Sequence, residues 1–246
     1  MRPDVVVLLA LVALALASMP LYAATAAHRR DALEIADRGS FVLGSFVRSW
    51  FYWFVRPFER AALALRISPT AFNLLGVAFG VAAGALFATG RLNLGGWAVL
   101  LGGVADVLDG RVARGQGLDG PRGAFLDSTL DRFAEVGAFV GLSVLFRGSA
   151  PAVALVAAGL GGSLLVSYAR ARGESVGLAC KVGVMQRAER LLLIGFGGIL
   201  DPSVCAAAGW AEGTLLLGIL ALVAAGTVGT AVYRTVWIAR RLGRSV

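Results

Sequence analysis

Residues 106–131, DVLDGRVARGQGLDGPRGAFLDSTLD, decide how the rest of the chain is read. Asp106, Asp109, Asp127 and Asp131 stand there between two long apolar runs. Asp106, Asp109, Gly110 and Ala113 fall at i, i+3, i+4 and i+7, which is one face of an α-helix. Gly123, Asp127 and Asp131 step by four, again one helical face. Between them, residues 114–122 hold three glycines and a proline, enough to turn the chain back on itself. Two antiparallel helices would then aim two carboxylates each at a common space. A carboxylate beside hydrocarbon is costly, so this group calls for a cation. Oxygen donors alone suit Mg²⁺ or Mn²⁺ better than zinc, which prefers nitrogen and sulfur.

Outward from this stretch the composition is that of a polytopic membrane protein. Apolar residues make up 58% and charged residues 15%, with mean hydropathy +0.78, which excludes an ordinary soluble domain. A net charge of +8 could suit nucleic acid. The basic residues, however, lie in short loops between apolar runs, where membrane lipids are the expected partner and no nucleic acid is. Cys180 and Cys205 have neither disulfide nor metal-ligand spacing and read as packing residues. His28 is the single histidine, which excludes histidine catalysis and histidine-rich metal sites.

In chain order, residues 1–39 form a hydrophobic segment and a charged linker. Val5 to about Ala24 is apolar enough to span a bilayer, and the small-residue tail YAATAA behind it also suits a leader. Both readings stand, with a retained extra helix favoured by the charge pattern. Residues 40–66 mix Trp50, Phe51, Trp53, Phe54 and Phe58 with Arg48, Arg56 and Arg60. Rings that favour the head-group level and arginines that snorkel to phosphate describe an interfacial amphipathic helix. Spans are expected at about 70–89, 92–110, 124–146, 151–169, 190–208 and 213–237. Pro69 suits a first helical turn, and Gly76, Gly80 and Gly84 offer a small-residue stripe for close helix packing. Nineteen of the 23 basic residues fall on one side of these spans, with the 106–131 turn, the 170–190 loop and the C-terminus. The positive-inside bias makes that side cytoplasmic.

Written as spacing, the opening stretch is D-x2-D-G-x2-A-R-x8-G-x3-D-x3-D, from Asp106 through Arg114 and Gly123 to Asp131. It resembles the signature of the CDP-alcohol phosphotransferases, membrane enzymes that build phospholipid head groups. The resemblance implies an all-α membrane bundle of six core transmembrane helices in residues 67–246, preceded by the interfacial helix. The additional N-terminal helix departs from it. It implies a transferase that moves the phosphatidyl group of CDP-diacylglycerol to an alcohol and releases CMP, with two divalent ions. Asp106, Asp109 and Asp127 correspond to metal ligands. Asp131 completes that site at its acceptor edge and corresponds to the catalytic base. Gly110, Ala113, Arg114 and Gly123 correspond to nucleotide-binding positions. A homodimer in a bacterial inner membrane, with the site on the cytoplasmic face, is implied as well.

The acceptor is read from residues 167–190, SYARARGESVGLACKVGVMQRAER. Arg172, Lys181, Arg187 and Arg190 form a cationic group suited to a phosphorylated acceptor, because each phosphate takes several donors. The stretch resembles the phosphatidylinositol-phosphate synthase branch of the family, with Gly173 and Ala188 departing from its usual alanine and proline. That implies inositol phosphate as acceptor. Glycerol 3-phosphate, as in a phosphatidylglycerophosphate synthase, is the alternative. A divalent-cation transporter would instead spread carboxylates through the bilayer depth and show internal repeats. A catalytically idle, lipid-binding relative would not be expected to keep all eight signature positions.

Overall fold

The computed structural model describes residues 3–24, 44–180 and 182–243. Lys181 and most of the charged linker thus lie outside the described residues, as do residues 40–43 of the expected interfacial helix. The described chain is helical throughout, with no strand. Its helices are α1 (Pro3–Ala24), α2 (Gly44–Ala64), α3 (Pro69–Ala88), α4 (Leu92–Gly115), α5 (Pro121–Leu145), α6 (Ala150–Ser175), α7 (Arg187–Ala208) and α8 (Thr214–Leu242). Six of them, α1, α3, α4, α6, α7 and α8, are long and apolar enough to cross a membrane. Helix α5 is as long, but Asp127, Asp131, Arg132 and Glu135 interrupt its apolar run.

The bundle starts where the sequence allows it to. Ser68 caps α3 by accepting a hydrogen bond from the Ala71 amide (3.3 Å), and Pro69 takes the first helical position. Helix α3 packs between α4 and α5, α4 against α7, and α6 against α8. Helices in lipid gain little by hiding leucine from hydrocarbon, so association depends on how closely backbones approach. A Cβ at Gly80 would overlap the backbone of Ala134, and one at Gly84 that of Gly137, while Gly141 meets Gly84 from the other side. The glycine stripe expected on α3 is therefore the contact surface for α5. A leucine at Gly84 is expected to force the two helices apart. The unfolding midpoint in detergent should fall by the equivalent of at least about 1–3 kcal/mol, and an unchanged midpoint would remove this contact from the account.

The apolar core sits at one end of the bundle, built from Phe87, Leu92, Phe139, Leu142, Val156, Leu216 and Leu220. At that end the buried Asp201 of α7 accepts hydrogen bonds from the amides of Gly213 (2.7 Å) and Leu216 (2.8 Å), so it caps α8. The acidic halves of α4 and α5 lie at the other end, clear of this core.

Helix α2 seats on α4 beside the acidic turn. Arg111 donates to Glu59 (2.6 Å) and lies over the Tyr52 ring, 5.1 Å from its centroid. The Gln116 side chain bonds to the Ile67 carbonyl at 2.8 Å. Helix α1 touches α2 and α7. Trp50 donates its indole N–H to Ser18 (2.8 Å), and Tyr22 is buried between the rings of Phe46 and Trp53, each 5.7 Å away. The aromatics of α2 thus divide between two surfaces, with Trp50 buried and Phe58 exposed.

Candidate active site

Helix α4 ends and α5 begins on either side of the glycine-rich turn, which sets the carboxylates of both on one space. Asp106, Asp109 and Asp127 each place an oxygen within 4.8 Å of the others. Asp109 is buried and accepts a hydrogen bond from the Asn73 amide of α3 (2.5 Å). Three carboxylates at this separation repel one another unless a cation lies among them. Their hard oxygens match a divalent ion in donor type. Asn73 orients one of them from outside, as supporting partners of metal ligands do.

A cavity of about 500 Å³ opens beside this cluster, walled by Thr70, Asn73, Asp109, Arg114, Arg122 and Asp127. Gly110, Ala113 and Gly123 also line it. The glycines there are not required by packing. A Cβ at Gly110 would meet only the Arg114 guanidinium, at 3.4 Å, and one at Gly123 only the Leu118 carbonyl, at 3.7 Å. At Gly84 the helix backbone forbids a side chain; at Gly110 and Gly123 a side chain would fill the cavity. The four positions expected to hold a nucleotide, three on α4 and one on α5, all line it.

Asp131 and Asp106 do not line the cavity. The Arg187 guanidinium joins the two, pairing with Asp106 through one nitrogen and with Asp131 through another at 2.8 Å. Arg132 lies 3.6 Å from the same Asp131 carboxylate. The sequence grouped Arg187 with Arg190 because they share a helical face; both line one small cavity with Glu135, but their ion-pair partners differ. Arg190 is only 2% exposed, donates to Glu135 (2.9 Å) and to the Met185 carbonyl (3.2 Å), and so is an internal anchor. Its Nε and Nη1 are thus engaged within the bundle. Arg172 is exposed at the end of α6, beside Ser175. Asn73 and Arg122 escaped the sequence analysis. The signal for Asn73 was available, since it is a lone amide in an otherwise apolar run.

Fold and site define an integral-membrane enzyme with a carboxylate cluster suited to a divalent cation, set against a cavity of nucleotide size. The chain belongs to the CDP-alcohol phosphatidyltransferase family, whose model matches residues 66–228. It is 36% identical over 214 residues to the phosphatidylinositol phosphate synthase of Streptomyces avermitilis, covering 82% of this chain and 84% of that one. It is 36% identical to the synthase of the same name from Mycobacteroides abscessus, over 64% of this chain and 74% of that one. Among solved structures, it resembles the phosphatidylinositol phosphate synthase of Mycobacterium tuberculosis with CDP-DAG bound. The TM-score is 0.65 at 30% identity, over 74% of this chain and 92% of that one. The same synthase in complex with manganese and citrate superposes with a TM-score of 0.64 at 33% identity, over 74% and 88%.

Proposed function

We propose that this protein transfers the phosphatidyl group of CDP-diacylglycerol to the hydroxyl of inositol phosphate and releases CMP. The observation that carries the donor half is the cavity whose glycine-lined wall ends on Asp109 and Asp127. A flat base and ribose fit where Gly110, Ala113 and Gly123 leave room, and Arg114 stands one turn on, suited to a phosphate. The likeness to three phosphatidylinositol phosphate synthases, together with the placement of Arg187, supports the acceptor half.

Asp106, Asp109 and Asp127 would hold two divalent ions, Mg²⁺ or Mn²⁺, with Asp131 at the edge. When bound, such ions neutralise the charge that collects on the pyrophosphate and on the departing CMP. The remaining work falls to the chain. Asp131 takes the proton of the attacking hydroxyl, whose oxygen forms a bond to the phosphatidyl phosphorus. The bond from that phosphorus to the bridging oxygen breaks, and CMP leaves with the electron pair. Arg187 fixes Asp131 in place, and because a guanidinium has five N–H donors, it can also reach the acceptor's phosphate. The acidic end of the bundle faces the cytoplasm, on the strength of the basic loops that share that side. The family resemblance supports a homodimer in a bacterial inner membrane.

The purified protein, given CDP-diacylglycerol and Mn²⁺ or Mg²⁺, should release CMP with inositol 1-phosphate. Glycerol 3-phosphate, free inositol and serine are offered separately. Release with glycerol 3-phosphate alone keeps the mechanism and overturns the inositol assignment. Arg187→Ala is expected to raise the acceptor KM by about 10- to 100-fold, the usual worth of a charged hydrogen bond, with a smaller effect on the donor KM. Equal effects on both substrates would make Arg187 a purely structural link between α4 and α5.

A further inference from the structure

Helix α8 carries a buried arginine in its last third, and the chemistry described so far does not use it. Arg234 is 3% exposed, and its two hydrogen bonds go to main-chain carbonyls rather than to a carboxylate. Nε donates to the Val182 carbonyl (2.7 Å) and Nη1 to the Val166 carbonyl (2.8 Å). A cation held inside a membrane helix is costly and marks a position that does something. Here it ties the connection between α6 and α7 to the body of the bundle.

Two neighbours make the tie a cradle. Gly226, Thr230 and Arg234 step by four and share one face of α8. Thr230 accepts a hydrogen bond from the Met185 amide (3.2 Å). A Cβ at Gly226 would overlap the tip of Met185, and Gly183, with φ of 113°, packs so closely on the Thr230 methyl that no side chain fits. The segment from Val182 to Met185 is thus held at both ends by one helical face, while Arg190 takes the Met185 carbonyl from beneath. Two residues further on, Arg187 opens α7 and reaches Asp106 and Asp131.

We propose that Arg234, helped by Thr230, is a positioning residue for the acceptor half of the site. It fixes the 182–185 segment and so sets where Arg187 stands between Asp106 and Asp131. The role rests on the proposed function only in naming that half as the acceptor's.

The test uses full-length protein carrying Cys205→Ala, which leaves Cys180 as its single cysteine. Cys180 is buried within the same connection, so its labelling by a maleimide reports on the anchor without any turnover. Arg234→Gln removes the charge-assisted bonds and should speed labelling by at least about tenfold. In the same protein the acceptor KM should rise by about 10- to 100-fold while the CDP-diacylglycerol KM stays within about twofold. Arg234→Lys keeps a charged donor and should restore part of both. Thr230→Val, a milder change, should move both readouts in the same direction and carries the test if Arg234→Gln does not fold. Unchanged labelling overturns the anchor. A parallel rise in both KM values, or a fall in kcat alone, overturns the positioning role. Faster labelling in a protein that uses no phosphorylated acceptor would leave the anchor standing and overturn its assignment to the acceptor.

Discussion

Asp131→Asn is expected to lower kcat by about 10²- to 10⁴-fold, the range a positioned general base contributes, while CDP-diacylglycerol binding stays close to that of the parent. Asparagine has the same shape but does not take a proton at neutral pH, so the substitution removes the base and little volume. Donor binding should survive because Asp106, Asp109 and Asp127 form their group without Asp131. The cavity wall of Gly110, Ala113, Arg114 and Gly123 likewise does not include it. Single-turnover release of CMP, measured alongside binding of the CDP-lipid, separates the possibilities. Loss of turnover and binding together would make Asp131 a full metal ligand rather than the base. Turnover within tenfold of the parent would assign the base to another group and leave Asp131 as the partner of Arg187.

The resemblance already set Asp131 at the edge of the metal site as the base; the structure adds its pairing with Arg187, which spacing alone does not contain. Helical periodicity put Asp106 with Asp109 and Asp127 with Asp131, two by two. It could not say which of the four converge, because convergence depends on how far α4 and α5 slide past each other. That offset passes through α3, which lies backbone to backbone with α5 at Gly80, Gly84 and Gly141 and also packs on α4. The glycine stripe was legible as a packing surface, but its partner helix was not. The same limit hid the partner of Arg190. A spacing of three places it beside Arg187 on α7, yet Glu135, 55 residues earlier, draws it into the interior. Pairing across the bundle is long-range information, and charge counting along one helix does not contain it. Positions read against a motif with an internal logic, Gly110, Ala113, Arg114 and Gly123, came together as expected, since the turn of 114–122 keeps them close whatever the rest of the bundle does. Asp201, Glu135 and Asn73 show the opposite case. Asp201 and Asn73 are lone polar side chains in apolar runs and Glu135 closes the charged part of α5, and each has a specific partner, as a polar group buried in a membrane bundle must.

Asp109→Asn should abolish CMP release beyond the ~10²- to 10³-fold that a single electrostatic contact is worth, and excess metal should not restore it. Asp109 is the most enclosed of the three clustered carboxylates, at 4% exposure, and with Asp127 it lines the cavity. Removing its charge leaves Asp106 and Asp127 as the remaining pair in the cluster. A fall in activity alone would not distinguish a lost ion from a damaged fold, but stability does so by sign. Without added metal, the parent carries the mutual repulsion of three carboxylates, and the variant has less of it, so the variant should unfold at the same temperature or higher. With Mn²⁺ or Mg²⁺ at a hundred times its dissociation constant, the parent should gain about 2.7 kcal/mol from binding that only the folded state can make. The variant should gain far less. The two melting curves are therefore expected to cross as metal is added. Parallel shifts in both proteins would place the ion away from Asp109. A variant less stable than the parent even without metal would mean that the Asn73 hydrogen bond, rather than cation binding, is what Asp109 supplies.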